Sequence, residues 1–230
     1  MDPGDILRRT WELYRAHWIH LVAIAAVIYV PLGAVSAALA LGGWPGILAA
    51  NILNLAAIFP VQGAVVKAVE DVRDGRRDLS VAATLRHAGN RLMVLAVAGV
   101  LAALGIIGGL ALLVVPGLVL LTWWLVLAPV IMLERCGVAH GFGRSRELVR
   151  GSAWPVFGVV VLTLLVLLAF SLALGIALTP LGNVARGFLQ AAIGQTLAAP
   201  FAAVAWTLTY FRLRDLERRR APLSAPSAAT

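Results

Sequence analysis

The sequence predicts an all-α integral membrane protein with six transmembrane helices, built as three repeats of a cytoplasmic interfacial helix followed by a transmembrane hairpin. Composition is the first reason: hydrophobic residues make up 61% of the 230-residue chain, charged residues 13%, and mean hydropathy is +0.91, far outside the soluble range. The second is distribution. Asp, Glu, Lys and Arg are missing from residues 16–66, 92–133, 151–185 and 187–211. The third is a helical pattern that returns before each pair of spans.

A helix rises about 1.5 Å per residue and the hydrocarbon core is about 30 Å thick, so roughly 20 residues cross it. Residues 16–66 and 92–133 are each long enough to cross twice. Gly42-Gly43-Trp44-Pro45-Gly46 divides the first stretch into spans of about 18–41 and 46–67. Val115-Pro116-Gly117 divides the second into about 92–113 and 116–133, and Thr179-Pro180-Leu181-Gly182-Asn183 separates about 155–178 from about 187–211. The first apolar stretch is too long for the core of a cleavable signal peptide, so it reads as a retained anchor.

Charge sets the expected orientation. Eighteen of the nineteen Lys and Arg residues fall before the first span, in 67–91, in 134–150 or after 211, leaving only Arg186 elsewhere, and all eleven acidic residues share those segments. The positive-inside rule makes that side cytoplasmic, with both termini inside, which an even number of spans requires. Basic groups dispersed over four short segments beside an anionic leaflet, with no nucleic-acid-binding module, argue against nucleic acid as a partner despite the net charge of +8. One lysine against eighteen arginines, with abundant Ala and Gly, points to a GC-rich bacterial genome.

Leu7, Trp11, Tyr14 and Trp18 recur at i, i+4, i+7 and i+11, with Arg8, Arg9, Glu12 and Arg15 around the other face. That is an amphipathic helix, about 5–16. The spacing returns in Val81, Leu85, Ala88 and Leu92, opposite Arg86, His87, Asn90 and Arg91, giving a helix of about 79–91. It returns again in Val138, Phe142, Ser145 and Val149, giving about 138–150, expected to lie on the cytoplasmic surface with its apolar stripe in the headgroup boundary and Arg144, Arg146 and Arg150 outward. Trp11, Trp18 and Trp154 suit that depth. Pro60, Pro129 and Pro200 each fall in the second helix of a hairpin, where a missing N–H frees a carbonyl that neighbours must satisfy. The whole forms one domain, 1–217, with 218–230 a disordered cytoplasmic tail.

Several short motifs occur in one order: Gly4-Asp5-Ile6-Leu7 with Trp11-Glu12-Leu13-Tyr14, Val115-Pro116-Gly117, Ala128-Pro129-Val130 leading to Glu134, Arg144-Ser145 with Glu147-Leu148 and Arg150-Gly151, and Tyr210-Phe211-Arg212-Leu213-Arg214. Over residues 4 to about 217 the chain resembles the glycerophosphoryl diester phosphodiesterase membrane-domain-like proteins and the related YciC-type bacterial membrane proteins. The resemblance implies a six-helix bacterial inner-membrane protein, mostly without assigned chemistry and in some relatives fused to a catalytic phosphodiesterase domain. Residues 212–230 leave no room for such a domain, so the activity of fused relatives is not expected here.

Little in the sequence points to catalysis. Cys136 is the only cysteine, which excludes an internal disulfide and reads as an ordinary residue at a helix end. His17 and His20 share a helix face but lack a third ligand at a useful spacing, so no metal and no cofactor is expected. Glu134 reads as a solvated ion pair with Arg135 at the membrane edge. Two functional readings follow. In the first, the chain is a non-catalytic membrane protein acting through anionic lipids or a partner membrane protein, with Arg8, Arg9, Arg15, Arg86, Arg91, Arg144, Arg146 and Arg150 as headgroup contacts. In the alternative it is a small transporter or lipid-translocating permease whose polar groove is lined by Asn51, Asn54, Gln62, Gln190 and Gln195; amides in spans also serve simply to join helices.

The orientation is testable by thiol labelling in a Cys136→Ser background. A cysteine at Gly42 is expected to react with an impermeant reagent from outside intact cells, and one at Ser80 or Ser224 only after permeabilisation.

Overall fold

The computed structural model describes residues 2–73, 91–180 and 183–220. It is all-helical, with no strand among the described residues. In chain order the helices are α1 (Pro3–Ala40), α2 (Gly43–Arg73), α3 (Leu92–Leu112), α4 (Val114–Trp123), α5 (Leu127–Leu133), α6 (Val138–Arg150), α7 (Ala153–Ala177) and α8 (Asn183–Arg220). Among the described residues, four segments are long and apolar enough to cross a membrane: Pro3–Leu39, Met93–Leu112, Val114–Leu133 and Ala153–Ala177. Helices α2 and α8 run unbroken over 46–67 and 187–211.

The connections follow local chemistry. Helix α1 begins on Asp2, whose carboxylate accepts the Gly4 N–H at 2.9 Å and caps a free donor. Within it, His17 leaves helical geometry (φ −125°, ψ 20°), kinking the element into an arginine-bearing first piece and an apolar second one. The turn into α2 needs Gly43, whose φ of +72° is costly for a residue with a Cβ.

The second hairpin turns earlier than the Val115-Pro116-Gly117 motif suggests. Its connector is the single extended residue Leu113, and Val115, Pro116 and Gly117 lie in the first turn of α4. There a proline gives up only an N–H that has no helical acceptor, so it starts this helix instead of ending the previous one. Pro129 likewise occupies the first turn of α5, after a true break at 124–126, whereas Pro200 lies inside continuous α8. At the chain's other end α8 runs to Arg220, past the expected start of a disordered tail at 218. The expected helix 79–91 lies outside the described residues apart from Arg91, as do 221–230.

Three apolar clusters join the helices. Leu21, Ile24, Ala25 and Tyr29 of α1 meet Val61, Ala64, Val65, Ala68 and Val69 of α2, with Ala203 and Val204 of α8 closing the group. Leu95, Ala98 and Ala102 of α3 pack on Leu127, Ala128 and Ile131 of α5, and a third cluster joins α5, α6, α7 and α8 through Val130, Val149, Val156 and Tyr210. Lipid tails are as apolar as these side chains, so dispersion and close fit, aided by small residues, hold such contacts in a bilayer.

Helices α3 and α4 pack closely at their glycines. A Cβ on Gly109 would lie 3.0 Å from the Gly117 Cα, and one on Gly105 would lie 2.7 Å from the Trp124 ring. Gly109→Leu is therefore expected to destabilise by about 1–3 kcal/mol, read as a lower melting temperature in detergent. Gly108→Leu, at a position with no neighbour within 4 Å of such a Cβ, should leave the melt unchanged.

Candidate functional site: helix α6 and the charged end

The charged segments gather at one end of the bundle. Asp5 and Arg9 of α1 line one cleft with Arg212 and Asp215 of α8, the Arg91 guanidinium donates to the Cys136 carbonyl at 3.3 Å, and Arg220 donates to the Gly151 carbonyl at 3.4 Å. Helix α6 lies across this end, touching α3, α4, α5, α7 and α8.

Its placement starts from the broken span. At the break the Leu127 N–H bonds to the Trp124 carbonyl at 3.1 Å, so the Trp123 carbonyl does not receive its usual helical donor. Fully buried Ser145 of α6 donates its hydroxyl to that carbonyl at 2.7 Å. Gly141, Leu148 and Val149 share the buried face, and Phe142 stands edge-on to Trp124 with ring centroids 4.8 Å apart. The stripe expected to meet the headgroup boundary is thus turned onto protein. Its physical reason is the freed carbonyl, which lipid cannot satisfy.

Between α5 and α6, Arg135 takes a positive φ of 52°, unusual for a residue with a side chain. Glu134 turns inward, and the expected pairing with Arg135 gives way to a different network. The Arg144 Nε donates to Glu134 at 3.1 Å, while Nη1 and Nη2 form a two-pronged pair with Glu217 at 2.7 and 2.6 Å. Tyr210 donates its hydroxyl to the other Glu134 oxygen at 3.0 Å, and Glu147 adds a contact to Arg144 at 3.2 Å. The Arg144 and Glu134 side chains are each only 20% exposed, whereas Glu147 is 70% exposed and so weakly coupled. Arg144, expected to point outward, is the inward clasp between α5, α6 and α8.

The electrostatics follow from that clasp. The bond from Arg144 holds the Glu217 carboxyl below the usual carboxylate range, with the charges of Arg144 and Arg214 adding to the effect. The same bond raises Arg144 further above its already high value. Burial pushes the Cys136 thiol up, with the Glu134 charge adding, so it rests protonated and a poor nucleophile.

The other arginines divide by environment. Arg146 lies 4.4 Å over the Trp123 ring and is exposed, as are Arg150 and Arg15. Arg8 and Arg9 pair with Asp5 at 3.1 and 3.2 Å, and Arg86 lies outside the described residues. Among the amides, Gln62 is buried, Gln195 is exposed and Gln190 donates to the Ser171 carbonyl at 3.4 Å, linking α8 to α7; the side chains of Asn51 and Asn54 are outside the described part of the structure. Among the described residues no group of three or more His, Cys, Asp or Glu is placed to hold a metal.

Glu217, Trp123 and the clasp role of Arg144 were not readable from linear spacing. A local signal for Glu217 does exist: Tyr210, Leu213 and Glu217 fall at i, i+3 and i+7, one helix face, with the first two fully or nearly fully buried. No protein-family model matches the sequence, and no curated protein or solved structure matches it either.

Arg144→Gln leaves partly buried Glu134 and Glu217 without their common cation and is expected to cost about 2 kcal/mol, read as a lower melting temperature in detergent. Because the Glu217 carboxyl is depressed in the folded state, its stabilisation is complete at neutral pH and is lost as pH falls below the ordinary carboxylate range. Glu217→Gln should remove that acid-sensitive part, and the double variant should lose less than the sum of the two singles.

Proposed function

We propose that this chain is a non-catalytic, six-span protein of a bacterial inner membrane, both termini cytoplasmic, that works by engaging anionic lipid headgroups along the outer edge of α6. One observation carries the reading: α6 is fixed to the bundle by Ser145 and Arg144, and this leaves Arg146 and Arg150 exposed on the opposite face. A basic edge held in place loses little side-chain and backbone freedom when an anion arrives, so binding costs less. Four apolar span-length segments support the membrane setting. The kink at His17, with Arg8, Arg9 and Arg15 before it and an apolar helix after it, supports an interfacial first piece. Likeness to the membrane-domain family named above rests on the ordered motifs alone and fits the same reading.

Attraction of about 1 kcal/mol per arginine near an anionic surface makes the Arg146 and Arg150 pair worth on the order of 30-fold in lipid affinity. Changing both to Gln should lower the anionic lipid retained by the purified protein by that order, measured by mass spectrometry in mild detergent, with the melting temperature unchanged. Retention equal to wild type in a folded double variant overturns the proposal.

A further inference from the structure

Two grooves open sideways from the bundle. The larger, about 350 Å³, lies against α1, α7 and α8, with Trp11, Arg15, Trp18 and Phe170 among its lining. The smaller, about 240 Å³, lies between α4 and α7 and reaches from Val115 to Trp154. The second has a built end. Its wall includes Leu118, Val119, Thr122, Trp123 and Phe157, and the one hydroxyl on that wall is already committed, Thr122 donating to the Leu118 carbonyl at 2.7 Å. At the Trp123 end the ring carries the Arg146 guanidinium at 4.4 Å.

That stack matters for what the groove takes. A guanidinium lying on an aromatic face keeps its N–H groups pointing outward in one plane, in the fork that matches two phosphate oxygens. Among the described residues no carboxylate is paired with Arg146, in contrast to Arg144, and Arg150 follows one turn later on the exposed side. Both walls belong to segments that qualify as spans, Val114–Leu133 and Ala153–Ala177. The open side of the groove therefore faces hydrocarbon, while its Trp123 end lies beneath the charged helix. Trp154, 83% exposed and edge-on to Phe157, stands at the same end.

An apolar slot whose Trp123 wall carries an exposed guanidinium is complementary to an amphiphile with one negative head and a linear tail. We propose that the α4–α7 groove is a binding site for a single anionic glycerophospholipid, one acyl chain lying along Val119 and Phe157 and the phosphate held by Arg146 on Trp123. The site deepens the proposed function and rests on it for the membrane setting. It adds that one lipid is retained in a defined place, beyond a general attraction of the basic edge.

The test is native mass spectrometry of the full chain in mild detergent, titrated with phosphatidylglycerol, with phosphatidylcholine of the same chains, and with glycerol 3-phosphate as a tail-free source of the same head chemistry. One phosphatidylglycerol is expected to bind ahead of any others and phosphatidylcholine more weakly, with no binding of glycerol phosphate. Val119→Trp fills the slot while leaving every arginine in place, and should abolish that first binding step; Ala153→Phe, which fills the Trp154 end, serves as a second blocker if the first fails to fold. Arg146→Gln should weaken the step about fivefold, the equivalent of about 1 kcal/mol, and narrow the preference over phosphatidylcholine. If folded groove-filling variants bind phosphatidylglycerol like wild type while the Arg146 and Arg150 double variant loses it, the groove site is wrong and the basic-edge reading stands. If neither set changes binding, both are wrong. Binding of glycerol phosphate, or loss of a co-purifying membrane helix instead of a lipid on filling the slot, also overturns the lipid assignment.

Discussion

A backbone carbonyl shut away from water needs a donor, and the charged end of this protein is organised around one that its own helix leaves without its usual partner. The segment Val114–Leu133 is apolar enough to span but breaks at 124–126, where the chain restarts with Pro129 in the first turn of α5. Ser145 supplies the donor that the Trp123 carbonyl needs, and a hydroxyl has to come from a neighbouring element to do so. With Ser145 fixed, helical geometry puts Gly141, Leu148 and Val149 inward and Arg146 and Arg150 outward. Which arginines face outward is thus decided by a hydrogen bond that involves none of them.

The clasp of Arg144 extends that logic to the end of α8. A guanidinium offers several donors in one plane, and here they meet carboxylates from α5, α6 and α8 together, which a lysine's point charge does not reproduce. Tyr210 completes the coordination of Glu134 from the same face of α8 that carries Glu217. Arg144 is thus taken up inside the network of carboxylates, while Arg146 and Arg150 stay exposed on the outer edge. The net positive charge of the chain therefore hides a local division of labour between holding the fold and meeting the surroundings.

Part of this architecture is legible in the sequence because bilayer thickness acts directly on composition: long charge-free runs announce the four segments of span length, and periodicity announces α6. Amphipathic spacing identifies a face but says nothing about its neighbour, so the stripe Val138, Phe142, Ser145 and Val149 is equally compatible with headgroups and with a protein groove. Only the broken span resolves it. Val115-Pro116-Gly117 reads as a turn because a proline inside a run and a proline opening the next helix look alike until the extended residue, Leu113, is located. Glu217 sits among arginines, where a carboxylate reads as surface balance; its partner lies 73 residues earlier and is brought to it only by packing.

The α3–α4 connection carries one more implication. A single residue joins the helices, the Leu113 N–H still reaches the Gly109 carbonyl at 3.0 Å, and Leu112, Leu113, Val114 and Val115 are all exposed and apolar. Such a tip lacks the polar side chains that hold a loop in water. It ends as a blunt greasy cap, so removing this tip from water, in whatever setting does so, desolvates few polar side chains and costs little beyond its helix-end backbone groups.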